Sequence, residues 1–150
     1  MPDLIYNNLF NNRMLRNNDE IVKYEHSLEL LADNFSEADI VELCSTFDDK
    51  TCNSEVMFSA IHLLETISSE LAYQNTIIGV VKMFESSPEW ANIIIYRILN
   101  DDYSVQMIKN LYSRLDKSIS EKFKLILKEI KQEDSERFGK NIDKILESNA

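Results

Sequence analysis

The sequence predicts an all-α protein, and three observations carry that reading. Two glycines and two prolines in 150 residues leave few positions for the tight hairpins and phosphate-cradling loops that need positive φ or fixed turns. Apolar residues recur at three- and four-residue spacing, the period of a helix face. Serine, asparagine and aspartate stand repeatedly just ahead of acidic first turns, where a side-chain oxygen accepts from free amides and negative charge opposes the helix dipole. The content of 44% hydrophobic and 28% charged residues is that of a globular chain with a core, not of a disordered one. We expect a single domain over residues 1–150.

The first 18 residues read as a loosely ordered lead-in, because asparagine pairs fill positions 7–8, 11–12 and 17–18. Leu4, Ile5, Leu9 and Phe10 nonetheless give this segment apolar positions that can dock on the body. A helix near 19–34 follows Asn18, with Asp19 and Glu20 in its first turn, and a second near 37–47 follows Ser36. The third, near 54–67, starts after Asn53 and aligns Met57, Ala60, Ile61, Leu64 and Ile67 in one stripe. The fourth, near 70–84, starts after Ser69 and aligns Leu71, Ile77, Ile78, Val81 and Phe84. Gly79 interrupts it, at a cost of about 1 kcal/mol relative to alanine that is tolerable where a neighbouring helix must approach closely. The fifth, near 88–99, opens on Ser87-Pro88-Glu89: serine fits the N-cap, and proline loses nothing at the first helical position. Its apolar residues Trp90, Ala91, Ile94, Ile95, Ile98 and Leu99 need cover on two sides, which predicts the central helix. Helices near 103–115, after Asp102, and near 119–132 and 136–147 complete the set of about eight.

These helices group as four antiparallel pairs. Their first members begin near 19, 54, 88 and 119, an interval of roughly 31–35 residues that falls in the range of helical-hairpin repeats. No tetratricopeptide or ankyrin consensus is present. The expected architecture is a short, irregular α-solenoid of HEAT-like pairs, with a compact helical bundle as the alternative. In a solenoid the turn at Asp48-Asp49 lies on one edge with Glu85, and the turn at Asp101-Asp102 on the other.

Charge is unevenly spread. Residues 35–102 carry twelve carboxylates against Lys50, Lys82 and Arg97, a net of −9, while residues 1–34 carry −3 and residues 103–150 carry +2. A localised acidic face favours a cationic partner and disfavours direct contact with nucleic acid or anionic lipid. The lysines of the last third interleave with glutamates, as on a solvated amphipathic face. The start of the chain lacks a basic region followed by an apolar run, and no apolar stretch approaches the roughly 20 residues that span a bilayer. A cytoplasmic location without membrane contact is the expectation.

Parts for chemistry are missing. Adjacent carboxylates at 48–49 and 101–102 read as turn and cap residues, since general acid–base work needs two in one desolvated pocket. Two histidines, His26 and His62, and two cysteines, Cys44 and Cys52, stand at no metal-ligand or redox spacing,. Both cysteines read as reduced. Glu55, Ser59, His62 and Thr66 share one helical stripe and can line a groove, with His62 most simply a partly buried, hydrogen-bonded residue. There is no Gly-rich phosphate loop or nucleophile elbow. A non-enzymatic binding protein without cofactor or metal follows.

Candidate contact residues come from charge and amphipathic surface. They are Asp48, Asp49, Glu55, Glu89, Asp101 and Asp102 for electrostatics, with Tyr96 and Tyr103 as packing anchors, because tyrosine offers a large contact area at modest entropic cost. Tyr96, Asp101, Asp102 and Tyr103 fall around one turn and suggest a joint patch.

Certain strings go further. Ile40-Val41-Glu42-Leu43-Cys44 through Phe47-Asp48-Asp49, Glu55-Val56-Met57-Phe58 through Ile61-His62-Leu63-Leu64-Glu65, and Glu89-Trp90-Ala91 through Tyr96-Arg97-Ile98-Leu99-Asn100-Asp101 resemble the all-helical immunity protein 30 family of bacterial polymorphic-toxin and contact-dependent growth inhibition systems. The likeness covers roughly residues 36–102. It implies a small cytoplasmic antitoxin that binds the C-terminal domain of a cognate toxin, often a basic nuclease, and blocks it. The rival reading is a non-catalytic helical-repeat adaptor that binds a host protein or peptide.

Overall fold

The computed structural model describes residues 2–147. Among them are nine α-helices and no strand: α1 (Pro2–Asn11), α2 (Asn18–Ala32), α3 (Ile40–Cys44), α4 (Ser54–Leu64), α5 (Glu70–Met83), α6 (Pro88–Leu99), α7 (Asp102–Leu111), α8 (Lys117–Glu133) and α9 (Ser135–Glu147). Short 3₁₀ turns at Glu37–Asp39 and Tyr112–Arg114 lead into α3 and out of α7. The all-α expectation holds.

The helix starts follow side-chain caps. Asn17, Asn53, Ser69 and Asp101 each accept from an amide of the first turn of α2, α4, α5 and α7, so the caps of α2 and α7 lie one residue earlier than the sequence suggests. Ser36 and Asp39 form a reciprocal capping box at the turn before α3,. That box takes up three residues and leaves α3 only five long, shorter than the helix expected over 37–47.

The lead-in is a correction. Residues 2–11 are helical, and Tyr6 and Leu9 are buried against the body. The Tyr6 hydroxyl donates to Asp39 Oδ1 at 2.9 Å. Burial of these two side chains overrides the weak helix propensity of the asparagines.

The centre is a second correction. All six expected apolar residues of α6 are buried, yet α5 packs against α3, α6, α7 and α8 and is the more surrounded helix. Gly79 makes this possible. A Cβ built there lies 2.6 Å from Cys44 Sγ and 3.5 Å from the Val41 Cα, so α3 rests on a surface that only glycine provides. The buried face of α5 is Ala72, Ile77, Val80, Val81 and Met83, whereas Leu71 is exposed. Burial pushes the Cys44 thiol up to about 12, which leaves it protonated and unreactive.

Helices α3, α5, α7 and α9 pack each on the next in a row, and α2 packs on α4. In an open solenoid each hairpin touches only its neighbours. Here α5 also meets α8, which joins the second pair to the fourth. The row is therefore folded back into a more compact body than simple stacking gives.

Gly79→Ala separates packing from propensity. Intrinsic propensity alone favours alanine by about 1 kcal/mol, but the overpacked α3–α5 contact predicts a net loss of about 1–3 kcal/mol in denaturant unfolding. A stabilised variant contradicts this contact.

Candidate partner-binding site

The acidic turn after α3 is bound into the fold. Asp49 reaches the start of α6, where Oδ2 accepts from the Glu89 amide at 3.0 Å and Oδ1 from the Trp90 amide at 3.1 Å. It thereby satisfies two of the amides that this helix start leaves open, Pro88 having none to satisfy,. Ser87, expected to cap α6 with its own hydroxyl, instead donates to the Phe47 carbonyl at 3.0 Å. The Trp90 indole donates to the Asp48 carbonyl at 3.1 Å, and its ring packs edge-on against Phe58 and tilted against Phe47. Asp48 receives Arg13 Nε at 3.1 Å. Thr51 and Cys52 bond the carbonyls of Arg13 and Met14, which holds the adjacent buried Leu15 at φ 50°, a region a branched side chain avoids unless its surroundings fix it. Both carboxylates of the pair thus serve local structure.

The other acidic pair sits at the far end of α6, about 18 Å away for twelve residues,. Asp101 caps α7: its Oδ2 accepts from the Ser104 amide at 3.0 Å and the Ser104 hydroxyl at 2.6 Å. Ser104 spends its only proton on that bond, so the Tyr73 hydroxyl, 2.8 Å away, donates to it,. Burial raises the Tyr73 phenol and keeps it a donor. Tyr103, 55% exposed, donates to the Ser68 carbonyl at 3.3 Å, and its ring lies 6.2 Å from that of Tyr73. Asp102 is exposed and makes no hydrogen bond or ion pair among the described residues.

Tyr73, Asp101, Tyr103 and Ser104 border a cleft of about 420 Å³ between the end of α4, α5, the end of α6 and the start of α7, and Asp102 stands next to it in the chain without lining it. Ile61, Ile94 and Ile98 form its apolar wall, and Glu65, Arg97 and Asp101 its polar rim. Arg97 grips Glu65 through Nε at 2.7 Å and Nη2 at 2.8 Å. A concave apolar space with a few convergent polar groups is the usual form of a binding site. Of the contact residues the sequence suggests, Asp101 and Tyr103 border this cleft; Tyr73, Ser68 and the Glu65–Arg97 pair border it without having been singled out. Their signal is tertiary, since they come from the link after α4, from α5 and from α6.

The joint patch does not form as expected. Tyr96 turns to the other side and stacks on Phe138 of α9, ring centroids 5.1 Å apart and planes 7° from parallel. Burial and the neighbouring Glu133 raise its phenol. Glu55 and Glu89 are exposed in the first turns of α4 and α6. His62 is exposed as well, not partly buried and hydrogen-bonded, because its position on α4 faces outward opposite Ile61 and Leu64. With Ser59 and Thr66 it borders a second, shallower cleft of about 350 Å³ that also includes Glu25 and Glu29 of α2. Among the described residues no group of His, Cys, Asp and Glu is arranged to hold a metal ion, and no helix is long and apolar enough to cross a membrane.

Seven of the twelve carboxylates in residues 35–102 are held by internal bonds: Glu37, Asp39, Asp48, Asp49, Glu65, Glu70 and Asp101. Glu42, Glu55, Glu85, Glu89 and Asp102 are exposed and carry no such bond among the described residues. Asp49→Ala removes the α6 cap and is expected to cost about 1–2 kcal/mol in chemical unfolding, with Asp49→Asn recovering only part of it, because its one oxygen can accept from only one of the two amides,. Unchanged stability in Asp49→Ala would contradict the cap.

Comparison with the curated proteins and with the solved structures finds no match. The family model for immunity protein 30 matches residues 11–108, from the last residue of α1 to the last turn of α7, a wider span than the strings at 36–102. This stretch includes the 47–52 turn, α6 and the whole rim of the cleft. The chain belongs to the immunity protein 30 family.

Proposed function

We propose that this protein is a cytoplasmic antitoxin that binds the C-terminal domain of one cognate toxin and blocks it, without turnover and without a cofactor. One observation carries the reading: a member of an immunity-protein family presents five exposed, unpartnered carboxylates in a block of net charge −9. The toxin that fits such a surface is basic, and a nuclease with a phosphate-binding face is the natural class. Opposite fields steer association, with rates up to about 10⁸–10⁹ M⁻¹s⁻¹ at low salt. Occlusion of the catalytic face then needs only tight, complementary contact.

The contact face we propose is the edge where α6 ends and α7 begins. Asp102 and Tyr103 are exposed there beside a preformed cleft. Glu55 and Glu89 add to the field, while Asp48 and Asp49 keep the scaffold in shape and Tyr96 ties α6 to α9.

Calorimetric titration with the C-terminal domain of the toxin encoded beside this chain tests the reading. The expected result is tight one-to-one binding that weakens as salt rises. Asp102→Lys, with unchanged circular dichroism, is expected to weaken it about tenfold, mainly through slower association. Absence of binding at low and high salt, with both proteins folded, contradicts the antitoxin reading and favours an adaptor for a host protein.

A further inference from the structure

We infer that the cleft between α4, α5, α6 and α7 receives an arginine side chain of the toxin; the inference rests on the antitoxin reading and names what this site recognises. Three features select that occupant. The first is charge. Arg97 has Nε and Nη2 committed to Glu65, so those two carboxylate oxygens and that cation largely neutralise each other. Asp101 uses only Oδ2 in capping α7. Its Oδ1 accepts nothing among the described residues, and Asp102 follows it without a partner. The unbalanced charge of the rim is therefore negative.

The second feature is the wall. Ile61, Ile94 and Ile98 line a space of about 420 Å³, which suits an aliphatic stem that buries its methylenes and leaves its charged head at the rim. The third is the aromatic border. Tyr73 and Tyr103 stand 6.2 Å apart at an interplanar angle of 56°, and Tyr103 is held across the opening by its bond to Ser68. A planar guanidinium lies flat on such faces and forks onto a carboxylate, whereas an ammonium over a ring remains a compact, strongly hydrated point charge that does not fork. Arginine uses all three features in full, while lysine meets the aromatic border only as a hydrated point charge.

Two substitutions test the cleft without breaking the fold. Asp101→Asn removes the charge and keeps an N-cap of equal quality. Ser68→Trp places bulk at the exposed mouth and leaves the backbone carbonyl that Tyr103 uses. Affinity for the toxin domain encoded beside this chain is expected to fall at least tenfold in each, with melting temperature unchanged. Alanine substitution of the toxin's surface arginines, combined with Asp101→Asn in double-mutant cycles, is expected to find one arginine whose effect vanishes in the variant and which lysine does not replace.

Native affinity of both variants, with the wild-type complex tight, overturns the cleft and leaves the antitoxin reading standing. Coupling to a toxin lysine, or loss of binding in Ser68→Trp alone, overturns arginine as the occupant. No binding by the wild-type protein removes both readings together.

Discussion

The grip of the 47–52 turn on the start of α6 is the constraint from which the rest of the structure is arranged. Asp49 closes the first turn of α6 with both carboxylate oxygens, the Asp48 carbonyl takes the Trp90 indole, and Ser87 ties back to Phe47. The same turn holds the link between α1 and α2 through Arg13, Thr51 and Cys52. One short segment thus fixes the N-terminal helices and the helix whose other end borders the cleft. Because α6 is a continuous rod with an apolar face buried along its length, its far end is placed by the anchoring of its near end.

This arrangement divides the acidic residues by role. A carboxylate that caps a helix or meets a guanidinium is held in one geometry and contributes to stability, and its charge is partly neutralised where it sits. An exposed carboxylate without a partner keeps its charge for the long-range field and for an incoming surface. Asp49 and Asp102 show the contrast: the first is stapled to two amides, and the second stands free at the start of α7. Helix capping and the unneutralised surface charge therefore belong to different members of one acidic block.

Local chemistry made much of the fold legible. The buried stripe of α6, the caps at Asn53 and Ser69, and the meaning of Gly79 as a point of close approach all depend on near neighbours in sequence or on the size of one side chain. What escaped depends on distant partners. Asp49 caps a helix forty residues later, and no spacing rule reveals that. The first helix forms because Tyr6 and Leu9 find a body to bury against, although its asparagines argue otherwise. The centrality of α5 follows from how α3 and α8 fold back, which the apolar content of α6 conceals. At the candidate site, Asp101 and Tyr103 were readable from charge and exposure, but the cleft they border is assembled from four elements and has no signature in any one of them. The separation of Tyr96 from that group likewise depends on α9, whose Phe138 draws the ring to the opposite side.

Amide hydrogen exchange of the protein, free and saturated with the toxin domain encoded beside it, tests the central claim most directly, because it reports where the partner sits without altering either chain. The account predicts slowed exchange concentrated in residues 65–68 and 97–104, around the cleft and the start of α7. Protection confined to α1, to α8 and α9, or to the 47–52 turn would contradict it.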